Sequence, residues 1–157
     1  MNEVFIDTNV FLYSLGREHP YREPCRAVVE QLSRGDLVGV TDVLVIAEFS
    51  YVRGRRRGSN FAESATLSRE ICQLMETVHS ISQSDLSRAL ELSSELPELR
   101  PNDALHAAVA LDRGIKAILT ADRDFEAIDG LERIDPVNAA TIAPRPGASP
   151  SEAGDAK

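Results

Sequence analysis

Short apolar runs alternate with longer stretches of helical periodicity along most of the chain. Each run has the length of a buried strand, and the runs lie at 4–6, 37–40, 78–81, 117–119 and 131–134. The periodicity between them predicts a short helix from Thr8 to near Gly16, then helices over 21–33, 43–49, 61–75, 84–96 and 100–111. This alternation predicts an α/β fold with a central parallel sheet of about five short strands, flanked by helices.

Acidic residues follow two of the predicted strands. The first strand runs directly into Asp7, and the fourth runs into Asp122 and Asp124. Because ligands of open parallel sheets bind beyond the carboxyl ends of the strands, we expect Asp7 and Asp122 at one functional edge. Each acid also has a structural interpretation. Asp7 could cap the following helix, and Asp122 and Asp124 could be turn formers that bind backbone N–H groups.

Two further acids lie within predicted helices. Glu48 interrupts the helix over 43–49, which is apolar on nearly all sides and is therefore predicted to be buried. A lone carboxylate there is costly unless it binds a metal ion or pairs with an arginine of the basic loop that follows, residues 53–57. Asp103 lies in the first turn of an Ala-rich helix, where the helix dipole also favours an acid. Because this helix leads directly into the strand before Asp122, we expect its first turn at the opposite end of that unit, unless the helix is tilted or the loop before it crosses over the sheet. Connectivity alone therefore does not place Asp103 beside Asp7.

The candidate acids form a set of hard oxygen donors without cysteine or recurring histidine. The set comprises Asp7, Glu48, Asp103 and Asp122, with Asp124 as a further possible ligand. Such donors suit Mg²⁺ or Mn²⁺ rather than Zn²⁺, and carboxylates around these ions can activate water for phosphodiester cleavage. Three polar neighbours are candidates to hold a carboxylate or a metal-bound water in place: Thr8, Asn9 and Thr120.

The composition predicts one globular domain over residues 1–140 of the 157, followed by a disordered tail over 144–157 that contains no large apolar residue. A formal net charge of −8 argues against broad, non-specific nucleic-acid binding, although acids gathered around a metal ion contribute to that charge. We expect Cys25 and Cys72 to be free thiols in a reducing cytoplasm. No apolar run is long enough to span a bilayer, and no secretory signal is visible at the start.

Four features occur in the order typical of one known family: VFIDTN at 4–9, Glu48 after the second strand, RPNDALHAAVAL at 100–111 and LTADRDF at 119–125. Over residues 4–134 the chain resembles a PIN domain, and within that family a VapC-type toxin of a bacterial toxin–antitoxin pair. The resemblance implies a Mg²⁺-dependent endoribonuclease, with Mn²⁺ as a substitute, whose acidic site is Asp7, Glu48, Asp103 and Asp122. It also implies that the Asp103 helix reaches the site, that the protein dimerises, and that an antitoxin protein inhibits it.

The remaining candidates are basic. The loop residues Arg53, Arg55, Arg56 and Arg57 could contact RNA phosphates or a partner protein, or could simply face solvent. His106 lies one turn after Asp103 and is predicted to pack among apolar neighbours rather than to contact substrate.

Two other functional classes remain open. A phosphatase would use Asp7 as a covalent nucleophile, but the position two residues later, an acid in that class, is Asn9 here. A binding module is the second alternative. A PIN fold that only binds would be expected to lack one of the four acids, and a receiver-like domain needs paired acids near its first strand and a late lysine.

Overall fold

The computed structural model describes residues 3–142, which form a five-stranded parallel sheet flanked by six α-helices. The strands are β1 (Glu3–Ile6), β2 (Val38–Asp42), β3 (Thr77–His79), β4 (Ala117–Leu119) and β5 (Glu132–Ile134). The helices are α1 (Thr8–Ser14), α2 (Arg22–Arg34), α3 (Val43–Gly54), α4 (Phe61–Leu74), α5 (Gln83–Glu95) and α6 (Pro101–Asp112). Two 3₁₀ turns, Arg123–Ala127 and Pro136–Thr141, complete the fold. The predicted α/β class is confirmed.

The sheet has the strand order β3-β2-β1-β4-β5, so β1 lies at its centre. All neighbouring strands pair in parallel, with Phe5 opposite Val40 on one side and opposite Ile118 on the other. The chain builds the sheet outward from β1 through β2 and β3, then returns to add β4 and β5 on the other side. The strand order therefore reverses between β1 and β4, and a crevice opens at such a point beyond the carboxyl ends of the strands.

The core lies on both faces of the central strands, which explains why these strands read as continuous apolar runs. Phe5, Ile6, Ile118 and Leu119 are fully buried. The alanines of α6 are buried too, because small side chains let this helix approach the sheet closely. The helices outside the core are amphipathic, as α2 illustrates. Helix α2 ends at Gly35, whose φ of 74° fits the left-handed conformation that glycine adopts readily.

Helix α3 differs most from the prediction. It continues past residue 49 to Gly54, and it is buried on one side only, through Val45 and Phe49. Its outer side is open, with Val43 48% and Tyr51 56% exposed. The prediction that this helix is buried on all sides was wrong, because an apolar composition does not reveal which faces neighbouring helices cover.

Three smaller predictions concern the rest of the chain. Cys25 is buried and Cys72 is exposed, and both are free thiols as expected. Within residues 3–142, no helix is both long and apolar enough to cross a membrane. The predicted disordered tail, 144–157, lies outside the described residues.

Candidate active site

Three of the predicted acids line one cavity of about 470 Å³ at the carboxyl edge of the sheet. Asp7 follows β1, Glu48 projects from α3, and Asp103 lies in the first turn of α6. The expectation that the first turn of α6 lies at the opposite end of the unit was wrong, because a helix that leads into a parallel strand runs antiparallel to that strand. The first turn of α6 therefore lies at the carboxyl edge, beside Asp7.

Asp7 is the most buried of these acids, and both of its carboxylate oxygens accept hydrogen bonds. The Thr8 backbone N–H donates to Oδ1 at 2.7 Å, so Asp7 also caps α1, as the structural interpretation proposed. The Asn9 side-chain amide and the Thr120 hydroxyl each donate to Oδ2 at 2.7 Å. Asn9 also donates to Thr120 at 2.9 Å and accepts from the Ala121 N–H at 3.1 Å, which ties the ends of β1 and β4 together.

Burial raises the pKa of Asp7 from its ordinary 3.8 to about 6. Nearby His106 and the Thr120 hydrogen bond lower the pKa, while Asp103 raises it through like-charge repulsion. The ionised carboxylate is therefore poorly compensated, and a cation placed beside it would be strongly favoured.

The raised pKa of Asp7 predicts a particular pH dependence of stability in EDTA. Between pH 4 and pH 7 the unfolded chain ionises Asp7 before the folded protein does, so stability falls as pH rises. A shift of this size corresponds to a loss of about 3 kcal/mol. Urea unfolding of wild type and Asp7→Asn should show the variant gaining about this much relative to wild type across that range. Parallel pH profiles would contradict the assignment.

Glu48 is held by three donors rather than by an arginine of the basic loop. The Thr8 hydroxyl donates to Oε2 at 2.6 Å, the Asn102 amide donates to Oε1 at 2.6 Å, and His106 Nε2 lies 3.1 Å from Oε2. Burial raises the pKa of Glu48, but the hydrogen bonds from His106, Thr8 and Asn102 outweigh burial, and the net pKa is well below the ordinary range. Glu48 therefore stays ionised in the cavity wall.

His106 is completely buried, as predicted, and its ring centroid lies 5.8 Å from that of Phe5. It also has a polar role that the sequence did not reveal. Its Nδ1 lies 2.8 Å from Oδ2 of Asp42, so the ring bridges Asp42 and Glu48. Burial lowers the pKa of His106, but the two carboxylates raise it well above 6.5, so the ring is a buried imidazolium at neutral pH. Asp42, which caps α3 through the Val45 N–H, is buried with it.

Arg100 connects the last of the four acids to the cavity. Its Nε lies 2.8 Å from Oδ2 of Asp103, and its Nη2 lies 2.8 Å from Oδ2 of Asp122. The carboxylates at the start of α6 and after β4 therefore share one guanidinium. No sequence signal had distinguished Arg100, and the proximity of Asp103 to Asp122 would have been needed to find it.

The remaining predicted acid, Asp124, lies apart from the cavity. Its backbone N–H donates to Oδ1 of Asp122 at 3.0 Å, which is the turn-forming role considered for Asp122, and the Asp124 side chain is exposed. Thr120 supports the same turn, because its hydroxyl accepts from the Asp122 N–H at 3.0 Å. Thr8, Asn9 and Thr120 therefore all contact predicted ligands.

The four arginines of the basic loop lie at the carboxyl end of α3, beyond the acids. Arg53 and Arg56 are partly buried, whereas Arg55 and Arg57 are exposed. None of the four forms an ion pair within residues 3–142.

A parallel sheet with acids gathered around its central strand is typical of PIN domains, and the sequence comparison agrees. The PIN domain family matches residues 4–131. The chain therefore belongs to the PIN domain family.

Its relatives are VapC proteins, which confirms the resemblance seen in the sequence. Ribonuclease VapC7 of Mycobacterium tuberculosis is 33% identical over 141 residues, covering 89% of this chain and 96% of the relative. Ribonuclease VapC23 of the same species is 34% identical over 122 residues, covering 76% of this chain and 92% of the relative.

Solved structures share the fold at lower identity. The crystal structure of M. tuberculosis VapC20, described as a Sarcin-Ricin loop cleaving toxin, has a TM-score of 0.66 at 20% identity, covering 82% of this chain and 97% of that one. The FitAcB structure from Neisseria gonorrhoeae has the same TM-score and identity, covering 85% and 97%. The predicted PIN-like fold is thus confirmed.

Proposed function

We propose that the protein is a Mg²⁺-dependent endoribonuclease, with Mn²⁺ able to replace Mg²⁺, and that it is the toxin of a toxin–antitoxin pair. The observation that carries the proposal is the convergence of Asp7, Glu48 and Asp103 on one cavity where the strand order reverses. Relatives named as VapC ribonucleases support RNA as the substrate class. Similar structures described as VapBC or toxin–antitoxin complexes support an antitoxin as partner.

The donor set fits a hard divalent cation, because Asp7, Glu48, Asp103 and Asp122 offer only oxygen ligands. As the side chains are arranged within residues 3–142, no group of three or more His, Cys, Asp or Glu residues is placed to hold a metal ion. We attribute this to Arg100, whose guanidinium lies between Asp103 and Asp122. In this proposal the four acids hold the metal ion once Arg100 has moved aside.

Each part of the site then has a role in hydrolysis. A divalent ion held by Asp7, Glu48, Asp103 and Asp122 would supply a Lewis acid and would make a water molecule a better nucleophile towards the phosphodiester. Asp7 attracts the cation most strongly because its own charge is poorly compensated. Asn9 and Thr120 fix the direction of its Oδ2, and His106 keeps Glu48 ionised and oriented.

The phosphatase alternative is less well supported by the same geometry. Asn9, at the position where that class places its second acid, is bound to Asp7 and Thr120 and has no carboxyl group to transfer a proton. The phosphatase class also needs a lysine in a central position of the sheet. Lys116 does not meet this need, because it is exposed and precedes β4, at the opposite edge of the sheet from Asp7.

We further propose a homodimer that acts in the cytoplasm. Apolar surface for a second copy is available on α5, where Leu86 and Leu90 are exposed, and at Val43 on α3. The free thiols Cys25 and Cys72 fit a reducing compartment.

The proposed activity is tested by incubating antitoxin-free protein with total RNA in Mg²⁺, in Mn²⁺ and in EDTA. We expect cleavage with either ion and none in EDTA. Cleavage that is unaffected by EDTA would contradict metal dependence, and a trapped aspartyl-phosphate on Asp7 would favour the phosphatase.

Arg100 gives a prediction about metal affinity. Arg100→Gln is expected to tighten Mn²⁺ binding about fivefold, because the exposed Arg100 guanidinium no longer competes for Asp103 and Asp122. Calorimetric titration of metal-free protein measures this affinity. The matched control is Arg123→Gln, since Arg123 directly follows Asp122 and its ion pair within residues 3–142 is with Glu126. Equal or weaker binding by Arg100→Gln would show that Arg100 does not compete.

A further inference from the structure

The carboxyl-terminal half of α3 leads away from the acidic cavity. Residues three, four and seven positions apart share one side of a helix, so Glu48, Tyr51 and Arg55 follow one another along α3 at intervals of about one turn. Tyr51 and Val52 line the cavity together with Asp7 and Glu48. The cavity therefore has a carboxylate wall and an apolar, aromatic wall.

Tyr51 is exposed but held in place. The Arg55 guanidinium carbon lies 5.5 Å from the centre of the Tyr51 ring, and its Nη1 donates to the Tyr51 hydroxyl at 3.2 Å. The Phe61 ring is also stacked against Tyr51, at a centroid distance of 6.5 Å, and Tyr51 is still 56% exposed. A large, oriented ring exposed beside a polar cavity is the arrangement that proteins use to stack a nucleobase.

Beyond Tyr51, Arg56 lies close to Arg53 and Arg17, and none of the three has an acidic partner in the part of the chain that the structure describes. The Arg56 guanidinium reaches the end of α1, 3.8 Å from the place that a side-chain carbon on Gly16 would take. Burial lowers the pKa of Arg56, and the nearby charges of Arg53 and Arg17 lower it further. The buried Nε of Arg53 has no hydrogen-bond partner among residues 3–142, and none of the three arginines forms an ion pair there.

Like charges and an unpaired donor are unfavourable in the free protein, so this cluster is suited to an anion. The protein as a whole carries a net charge of −8, which makes the local concentration of arginine more distinctive. A phosphate placed here would offset the repulsion that Arg56 experiences from Arg53 and Arg17, and it would accept a hydrogen bond from Arg53 Nε.

We propose that this part of the surface, the α3 track, binds single-stranded RNA beside the cleavage site. In the α3 track, Tyr51 stacks on one nucleobase, Arg55 holds the ring, and the cluster of Arg17, Arg53 and Arg56 binds the phosphates that follow. The inference rests on the proposed ribonuclease function and adds to it the residues outside the acidic cluster that contact the RNA. RNA enters the site as an unpaired strand, because a ring can stack only on a base freed from its neighbour.

A second copy of the chain fits the same surface less well. A two-fold interface brings the same patch of both copies together, so Arg17, Arg53 and Arg56 of one copy would face the same three arginines of the other. Tyr51 also lines the cavity itself, so a second copy that covered Tyr51 would close the cavity in which the chemistry is proposed.

The test uses fluorescence anisotropy with two labelled probes of equal length: a random-sequence single-stranded RNA and an abasic ribose–phosphate strand. The protein carries Asp7→Asn and is kept in EDTA, so that the RNA is not cut. Tyr51→Ala should weaken RNA binding about five- to tenfold and leave binding of the abasic strand unchanged. Tyr51→Phe should retain most of the affinity, because the ring is kept.

Substituting Arg53 and Arg56 together by Gln should weaken binding of both probes. The log–log salt slope should also fall by about 0.7 for each phosphate that the variant no longer neutralises. Arg34→Gln is the matched control, because Arg34 is an exposed arginine that pairs with Asp36 near the opposite edge of the sheet. It should change neither probe.

The outcomes separate the two proposals. If wild type cuts RNA in Mg²⁺ but Tyr51→Ala binds RNA as tightly as its parent, the α3 track is wrong and the ribonuclease function stands. A change of molecular mass in Tyr51→Ala with unaltered RNA binding would assign the surface to a second copy. If wild type neither cuts nor binds RNA, both proposals fail.

Discussion

Asp7→Asn is expected to reduce RNA cleavage about a thousandfold or more while the protein stays folded. The loss arises because Asp7 is the carboxylate that most needs a cation, and a neutral amide cannot replace it as a metal ligand. Each tenfold loss in rate corresponds to 1.36 kcal/mol of barrier, so losing several kcal/mol of charge stabilisation gives an effect of this size. Initial rates in Mg²⁺ measure it.

Folding and rate have to be separated in this experiment. Asn at position 7 can still accept from the Thr8 N–H, and it removes a buried charge, so the thermal midpoint of the metal-free protein should not fall. Asp36→Asn is a suitable control, because Asp36 is a partly exposed acid near the other edge of the sheet. A folded Asp7→Asn variant that retained wild-type activity would exclude Asp7 from the chemistry.

His106→Ala is expected to cost about 3–5 kcal/mol of folding free energy. The substitution leaves buried Asp42 with the Val45 N–H as its one side-chain hydrogen-bond donor within residues 3–142, and an unpaired buried charge is costly. Because the folded pKa of His106 is raised, its contribution is complete below about pH 6.5 and is lost as pH rises through the folded value. Urea unfolding should therefore show the largest difference near pH 6.

A second variant separates the loss of a bridge from a simple packing defect. Adding Asp42→Asn to His106→Ala removes the unpaired charge, so the double variant should regain part of the lost stability. If His106→Ala did no more than leave a cavity, the stability losses of the two substitutions would add instead. Such additivity would contradict the bridge between Asp42 and Glu48.

His106 should also influence activity through Glu48. Where the His106→Ala variant is folded, the maximal cleavage rate is expected to fall about 10–100-fold, because Glu48 loses a donor that orients it. The RNA concentration at half-maximal rate should stay the same. A change confined to stability, with an unaltered maximal rate, would limit His106 to a structural role.

The position of the site was predictable because β1 and β4 are buried on both faces. Such strands read as apolar runs, and the first polar residue marks where the chain leaves the sheet. Asp7 and Asp122 could be placed at one edge for that reason. Glu48 was distinctive for a related reason, since it is the one carboxylate in an otherwise apolar stretch of α3.

The partners of those acids were not predictable, because they come from distant parts of the chain. Asp42 and His106 are 64 residues apart, and neither is unusual locally: one caps a helix and the other lies among alanines. Arg100 acquires its role only when β4 brings Asp122 to the start of α6. The outer side of α3 was likewise hidden, because its apolar residues look the same whether a neighbour covers them or not.

The central claim is that the carboxylates around Asp7 hold a divalent ion which RNA cleavage requires. Calorimetric titration of metal-free protein with Mn²⁺ tests it most directly, since it does not depend on knowing the RNA target. We predict saturable binding to wild type and to Asp36→Asn, and a loss of binding in Asp7→Asn. An absence of binding in wild type, or equal binding in Asp7→Asn, would contradict the claim.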